Sequence, residues 1–303
     1  MNQDFASPAQ GWLDSPRRVA LTMLAGVFCW SVGVIIYKEA LLYFDPLIAA
    51  WGRMFFGACA FAVVFNVKLV KIARQVTREH WRVYLFTGFC EPCLYILFLS
   101  FGMKYTTVAQ TAVITSCLPI MVTLMAWAVI KEKPGRYALP GFVIAVAAIA
   151  VLNFTATASA YAPDPVLGNG LLILALLCST SYYTVLRRFP MPYPLMFSAV
   201  VQAFMGCVFI IPVIICTGTP WPAQWPLKPT SLLVLSGVVT TFVVYTLVNV
   251  CIPKMPLARL TALINLVPVI TIALGLLVMG ETLTLVQAVC CVVILSSVVI
   301  SQR

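Results

Sequence analysis

The chain has 303 residues, 62% hydrophobic and only 9% charged. A soluble domain carries about 25% charged residues and roughly half apolar ones. The composition therefore excludes a soluble enzyme, a disordered segment and a nucleic-acid binder. The formal net charge of +10 takes its meaning from where the basic residues fall.

A transmembrane helix needs about 20 apolar residues. Uncharged apolar runs predict ten spans, near 19–37, 46–67, 83–103, 106–130 and 138–156, then 168–186, 194–216, 230–252, 257–279 and 284–301. The expected fold is an all-α polytopic membrane protein with both termini cytoplasmic. Nearly all of the 19 basic residues then lie on the cytoplasmic side, leaving Lys38, Lys104 and Lys228 outside and Arg53 within a span. The positive-inside rule accounts for that asymmetry without an acidic partner. The first span follows a polar tail, 1–18, and ends in Lys38-Glu39 rather than a small-residue cleavage site, so it reads as a retained anchor. All 11 cysteines fall inside predicted spans, where a thiol serves as a small apolar residue. The single His, His80, sits in a basic loop, so neither a His-based metal site nor any cofactor is expected.

A shift of 149 residues overlays the two groups of five spans. Cys29 meets Cys178, Lys38 meets Arg187, Gly57 meets Gly206, Gly88 meets Gly237, Pro119 meets Pro268 and Glu132 meets Glu281. Arg53 meets Gln202, and Glu91 meets Thr240. An odd number of spans per copy makes the second copy enter the membrane from the opposite side. Two such inverted halves can rock about a midplane site and expose it to each side in turn.

The stretch Tyr105-Thr-Thr-Val-Ala-Gln-Thr-Ala, followed by Pro119, Glu132 and Gly141, resembles the repeat unit of the drug/metabolite transporter superfamily, EamA type. The segment from Ala258 through Pro268 to Glu281 is similar to the same unit. The resemblance implies a cytoplasmic tail at 1–18, a first five-helix repeat at 19–156, an external linker at 157–167 and a second, inverted repeat at 168–301. It also implies a central cavity between the halves, with the fifth and tenth spans set away from it. Thr240 in place of an acid makes any charged site asymmetric.

Within the spans, Glu91 lies about halfway along the third and is followed by Pro92. An intramembrane carboxylate usually faces a cavity and marks a pathway. It is read as a ligand for a substrate amine or a proton-exchange group, against the alternative of a paired structural acid. Arg53 enters the second span from the other side, so that the two charges are separated vertically by less than roughly 10 Å. A direct salt bridge and opposite ends of one cavity both fit, as does an Arg53 that snorkels outward. A zwitterion would set its carboxylate on Arg53 and its amine on Glu91. On a continuous helix Tyr95 and Phe98 share the face of Glu91, and Trp30 and Tyr37 form one stripe on the first span. Tyr245, Asn249 and Asn265 complete the candidate substrate-binding set, although polar groups of this kind also serve as glue between helices. Pro119 and Pro268 are expected to bend the fourth and ninth spans and to act as gates. Glu132 and Glu281 are expected to favour the N-terminal ends of the helices that follow them.

The expected function is that of a secondary transporter, an exporter of a small polar or amphipathic, amino-acid-like metabolite across a bacterial inner membrane. No nucleotide motif is present. The partners are the lipid bilayer and a small-molecule substrate, with protons as a candidate coupling ion and no nucleic acid; a monomer and a homodimer both fit. The alternative is a non-transporting membrane receptor or assembly partner that keeps the fold.

Overall fold

The computed structural model describes residues 15–302 apart from residue 160, and the side chains of all of these but 65–71, 257 and 258. The tail before Ser15, the Lys68, Lys71 and Ala258 side chains and Arg303 lie outside the described residues. Among the described residues the chain is helical throughout, with one isolated β-bridge between Ser159 and Ala162.

The first half contains α1 (Pro16–Ala40), α2 (Pro46–Ala73), α3 (Arg78–Gly88), a π-helical turn (Phe89–Leu94), α4 (Tyr95–Tyr105), α5 (Val108–Ser116), α6 (Leu118–Ile130) and α7 (Ala138–Phe154). The second contains α8 (Pro165–Arg188), α9 (Leu195–Thr217), α10 (Leu227–Ser236) and a second π turn (Gly237–Val243). Next come α11 (Val244–Cys251), α12 (Leu257–Ile264), α13 (Leu266–Val278) and α14 (Leu285–Ser301). Starts are marked by chemistry visible in the chain: Thr77, Thr107 and Asp164 accept from the first turns of α3, α5 and α8, and Thr284 forms a capping box with Gln287.

Eight helices or joined helix pairs have the length and composition to cross a membrane. The other two apolar helices, α7 and α14, have 17 residues each, or about 26 Å at 1.5 Å per residue. That falls just short of a hydrocarbon core of about 30 Å. They pack against each other at the edge of the bundle, as expected for the fifth and tenth apolar segments. Asn153 and Gln287, their larger polar groups, are tied to Asn169 and to the Thr155 carbonyl.

The two halves pack with exchanged roles. α1 lies against α10, the second π turn, α11 and α13, while α8 lies against α3, the first π turn, α4 and α6. α2 and α9 meet in the middle. The π turns fall at mirrored positions, and each approaches the central helix of the other half where that helix has a glycine. A Cβ on Gly57 would meet the Thr241 side chain at 2.5 Å, and one on Gly206 would meet Met54 at 2.8 Å and Pro92 at 3.0 Å. These two glycines set the distance between the halves at the level of Glu91 and Thr240.

The bends expected at the prolines occur just before them. α5 gives way to α6 at Cys117, and α12 to α13 at Asn265. Proline lacks the N–H that an uninterrupted helix would use there.

Candidate substrate site

Glu91 sits where the third span breaks. Its backbone is extended inside the π turn, with φ −141° and ψ 117°, and the bond to Pro92 is cis. π turns are common at functional sites because they re-aim a side chain. The carboxylate is 8% exposed, and Ser179 Oγ donates to its Oε2 at 2.5 Å. It faces a chamber of about 30 Å³ whose other walls include Arg53, Tyr95, Gln202, Thr241 and Tyr245. A space of about 10–15 Å³ on this measure holds one water, so the chamber has room for a small polar group.

A larger cavity of about 180 Å³ lies next to it. Trp30 and Tyr37 from α1 face it together with Tyr95 from α4, and Pro119, Asn265 and Pro268 from the bent helices close the far wall. Thr111, Thr115, Ser116, Thr240 and Thr271 add hydroxyls. Arg53 is the one lining residue with a formal charge, and Arg53 and Tyr95 border both spaces. The Arg53 guanidinium carbon lies over the Tyr37 ring at 4.9 Å from its centroid. Among the described residues its buried Nε has no hydrogen-bond partner, and neither do the Thr241 and Thr271 hydroxyls. Tyr37 is held by a 2.5 Å hydrogen bond to Ser100. Among the described residues the recorded ion pair is Arg187–Glu132, so Arg53 and Glu91 share a chamber without a salt bridge.

The structure thus brings together Glu91, Arg53, Tyr95, Trp30, Tyr37, Tyr245, Asn265, Pro119 and Pro268 around two adjoining spaces. Asn249 lines neither. Nor does Phe98, which packs partly buried against the main apolar core. The i+7 argument that placed Phe98 beside Glu91 fails because the helix is broken between them. Ser179 and Gln202 were not foreseen as site residues; the pairing of Gln202 with Arg53 at the 149-residue shift was the signal for one of them.

Three charged residues take unforeseen partners. Lys38, at the end of the first span, is 1% exposed. It donates to the Thr106 and Tyr161 carbonyls at 2.8 and 2.7 Å and to that of Met103, since a buried ammonium must find acceptors. Glu281 does not serve the helix that follows it; its oxygens accept from Val108 and Ala109 at the start of α5, at 2.6 and 3.0 Å. Glu132 pairs with Arg187 at 2.6 Å.

The EamA-like transporter family matches the chain twice, over residues 17–154 and 166–302. The chain belongs to the EamA-like transporter family. It is similar to the uncharacterized transporter YetK of Bacillus subtilis (strain 168), 23% identical over 211 residues, covering 69% of this chain and 63% of that protein. The uncharacterized transporter YcxC of the same organism is 22% identical over 209 residues, covering 66% of this chain and 67% of YcxC. The match to YetK thus spans less than two thirds of that protein's length. One solved crystal structure, 18% identical, aligns with a TM-score of 0.59 over 94% of this chain and 96% of its own, which places the two in one fold. With its apolar helices, this EamA-family chain is a multi-pass membrane protein.

Proposed function

We propose that this EamA-family protein is a secondary carrier that exports a small amphipathic, amino-acid-like metabolite across a bacterial inner membrane by alternating access. The observation that carries the reading is the division of the central space at Arg53. One side is a chamber of about 30 Å³ with a carboxylate, the other a cavity of about 180 Å³ walled by aromatic rings and hydroxyls. A substrate carboxylate fits the free donor of Arg53, an amine reaches into the small chamber toward Glu91, and an apolar body lies against Trp30, Tyr37 and Tyr95. Charge-assisted hydrogen bonds of this kind are roughly twice as strong as neutral ones, and a buried, low-dielectric site strengthens them further.

In this reading all ten apolar segments cross the bilayer with both termini cytoplasmic, α7 and α14 by local thinning of the lipid. The five-helix units at 19–156 and 168–301 are the rocking halves, joined by the linker 157–167, and the bends before Pro119 and Pro268 are their hinges. Glu91 exchanges a proton with the substrate amine, and the chain acts as a monomer or homodimer without catalysis.

The test is counterflow in proteoliposomes with three related solutes: an α-amino acid with an apolar side chain, its deaminated carboxylate, and its decarboxylated amine. The expected order is amino acid, then carboxylate, then amine. Equal flux of all three removes the two-chamber assignment, and an absence of flux for a broad metabolite panel removes the carrier reading.

A further inference from the structure

Each copy presents a glutamate on the same turn, and the two glutamates do different things. A residue with φ 65° follows the fourth or ninth span, Lys131 in one copy and Gly280 in the other. The next residue is Glu132 or Glu281, whose N–H reaches back to the carbonyl of Ala126 at 3.4 Å or Gly275 at 3.2 Å. Backbone and residue type are the same, so the difference lies in what each carboxylate meets.

Glu281 binds the first two amides of α5, at 2.6 and 3.0 Å. Such amides have no acceptor within their own helix, and the positive end of the helix favours an anion. At the same end of the bundle Lys38 holds the last carbonyls of α4 and the Tyr161 carbonyl of the α7–α8 loop. At this end α5 packs directly on α13.

Shifted by 149 residues, Lys38 becomes Arg187, Glu281 becomes Glu132, and Val108 and Ala109 become Leu257 and Ala258. At that end Arg187 and Glu132 pair with each other at 2.6 Å, with their side chains 56% and 39% exposed. The N-cap of α12, Pro256, offers no side-chain acceptor where α5 has Thr107. Among the described residues α6 and α12 have no packing comparable to that of α5 on α13.

We propose that these four side chains form two mutually exclusive latches of the transport cycle. In the state seen here Glu281 and Lys38 hold one end shut, while Arg187 and Glu132 neutralise each other at the open end. In the opposite-facing state Glu132 leaves Arg187 and caps α12 at the amides of Leu257 and Ala258. Arg187 then turns onto the carbonyls at the end of α11, and Lys38 and Glu281 become the exposed pair. Exclusion follows from leverage, because α5–α6 and α12–α13 each span both ends and bend in the middle. Drawing α6 toward α12 pulls α5 away from α13.

The inference rests on the carrier reading, but its main readout needs no substrate. Hydrogen exchange of the protein in lipid nanodiscs, read on peptides covering Val108–Ala109 and Leu257–Ala258, reports each cap. Glu281→Gln is expected to speed exchange at Val108 and Ala109 and to slow it at Leu257 and Ala258. Glu132→Gln removes the other latch; it is expected to slow exchange at Val108 and Ala109 and to lower flux by about tenfold or more, as for a carrier held in one state. Glu132 belongs to an exposed pair, so this variant carries the test if Glu281→Gln fails to fold around buried Lys38. Faster exchange at Val108 and Ala109 with Leu257 and Ala258 unchanged would make Glu281 a static cap and overturn the proposal, as would a Glu132→Gln protein with wild-type flux and exchange. Reciprocal exchange in a protein that moves no solute would keep the latches and remove the carrier function instead.

Discussion

The Arg53 guanidinium carbon lies over the Tyr37 ring, 4.9 Å from its centroid, and its buried Nε has no hydrogen-bond partner among the described residues. Stacking on an aromatic face fixes the plane of a guanidinium, and Tyr37 is itself fixed by Ser100. A buried donor left unpartnered costs about 1–3 kcal/mol, a cost that a substrate acceptor would relieve.

Arg53→Lys keeps the charge but loses both the stack and the fork. Bonds to charged groups contribute about 1.5–3 kcal/mol, so flux at low substrate should fall roughly 10- to 150-fold. Ser100→Ala, which frees Tyr37, should have a smaller effect in the same direction. Initial rates in proteoliposomes check both.

Glu91→Gln should abolish the preference for an amino acid over its deaminated carboxylate while leaving carboxylate transport largely intact. The Ser179 hydroxyl can still donate to the amide oxygen, so the fold should survive. Competition assays with the two solutes decide the point, and unchanged discrimination would place the amine elsewhere.

Gly206→Val should damage the packing between the halves near the centre. Its side chain would push into Met54 and Pro92, at 2.8 and 3.0 Å from the Cβ alone. Overpacking of this kind costs about 1–3 kcal/mol, which thermal unfolding in detergent should register. By contrast, Asn249→Ala touches neither cavity and should leave flux unchanged.

Asn169 is fully buried and donates to Asn153 at 2.7 Å and to Gln110 at 3.1 Å, with Thr106 2.8 Å from its amide oxygen. Asn169→Leu strips partners from that whole cluster. Each polar group left unsatisfied costs about 1–3 kcal/mol, and the midpoint of thermal unfolding should drop accordingly.

Much of the helix plan was legible because its signals are one-dimensional. Apolar runs ended within a few residues of the helices observed. The break around Glu91 was legible only as a proline. Ideal helical spacing put Tyr95 and Phe98 on the face of Glu91, yet Tyr95 lines the cavities and Phe98 does not, because a π turn changes register by an amount no local pattern states. Glu281 was misread, and the partners of Lys38 were not foreseen, for another reason. Their partners are backbone groups of α4 and α5, far along the chain, and main-chain donors carry no residue signature. Ser179 was hidden in the same way, a hydroxyl among many whose importance depends on which helix crosses it.

Lys131 occupies the left-handed conformation that Gly280 occupies in the other copy. For a residue with a Cβ that shape costs on the order of 1–2 kcal/mol, yet the α6–α7 elbow keeps it. In the proposed cycle that shape aims Glu132 from the end of α6, so a tilt of α6 would carry the acidic tip along with it.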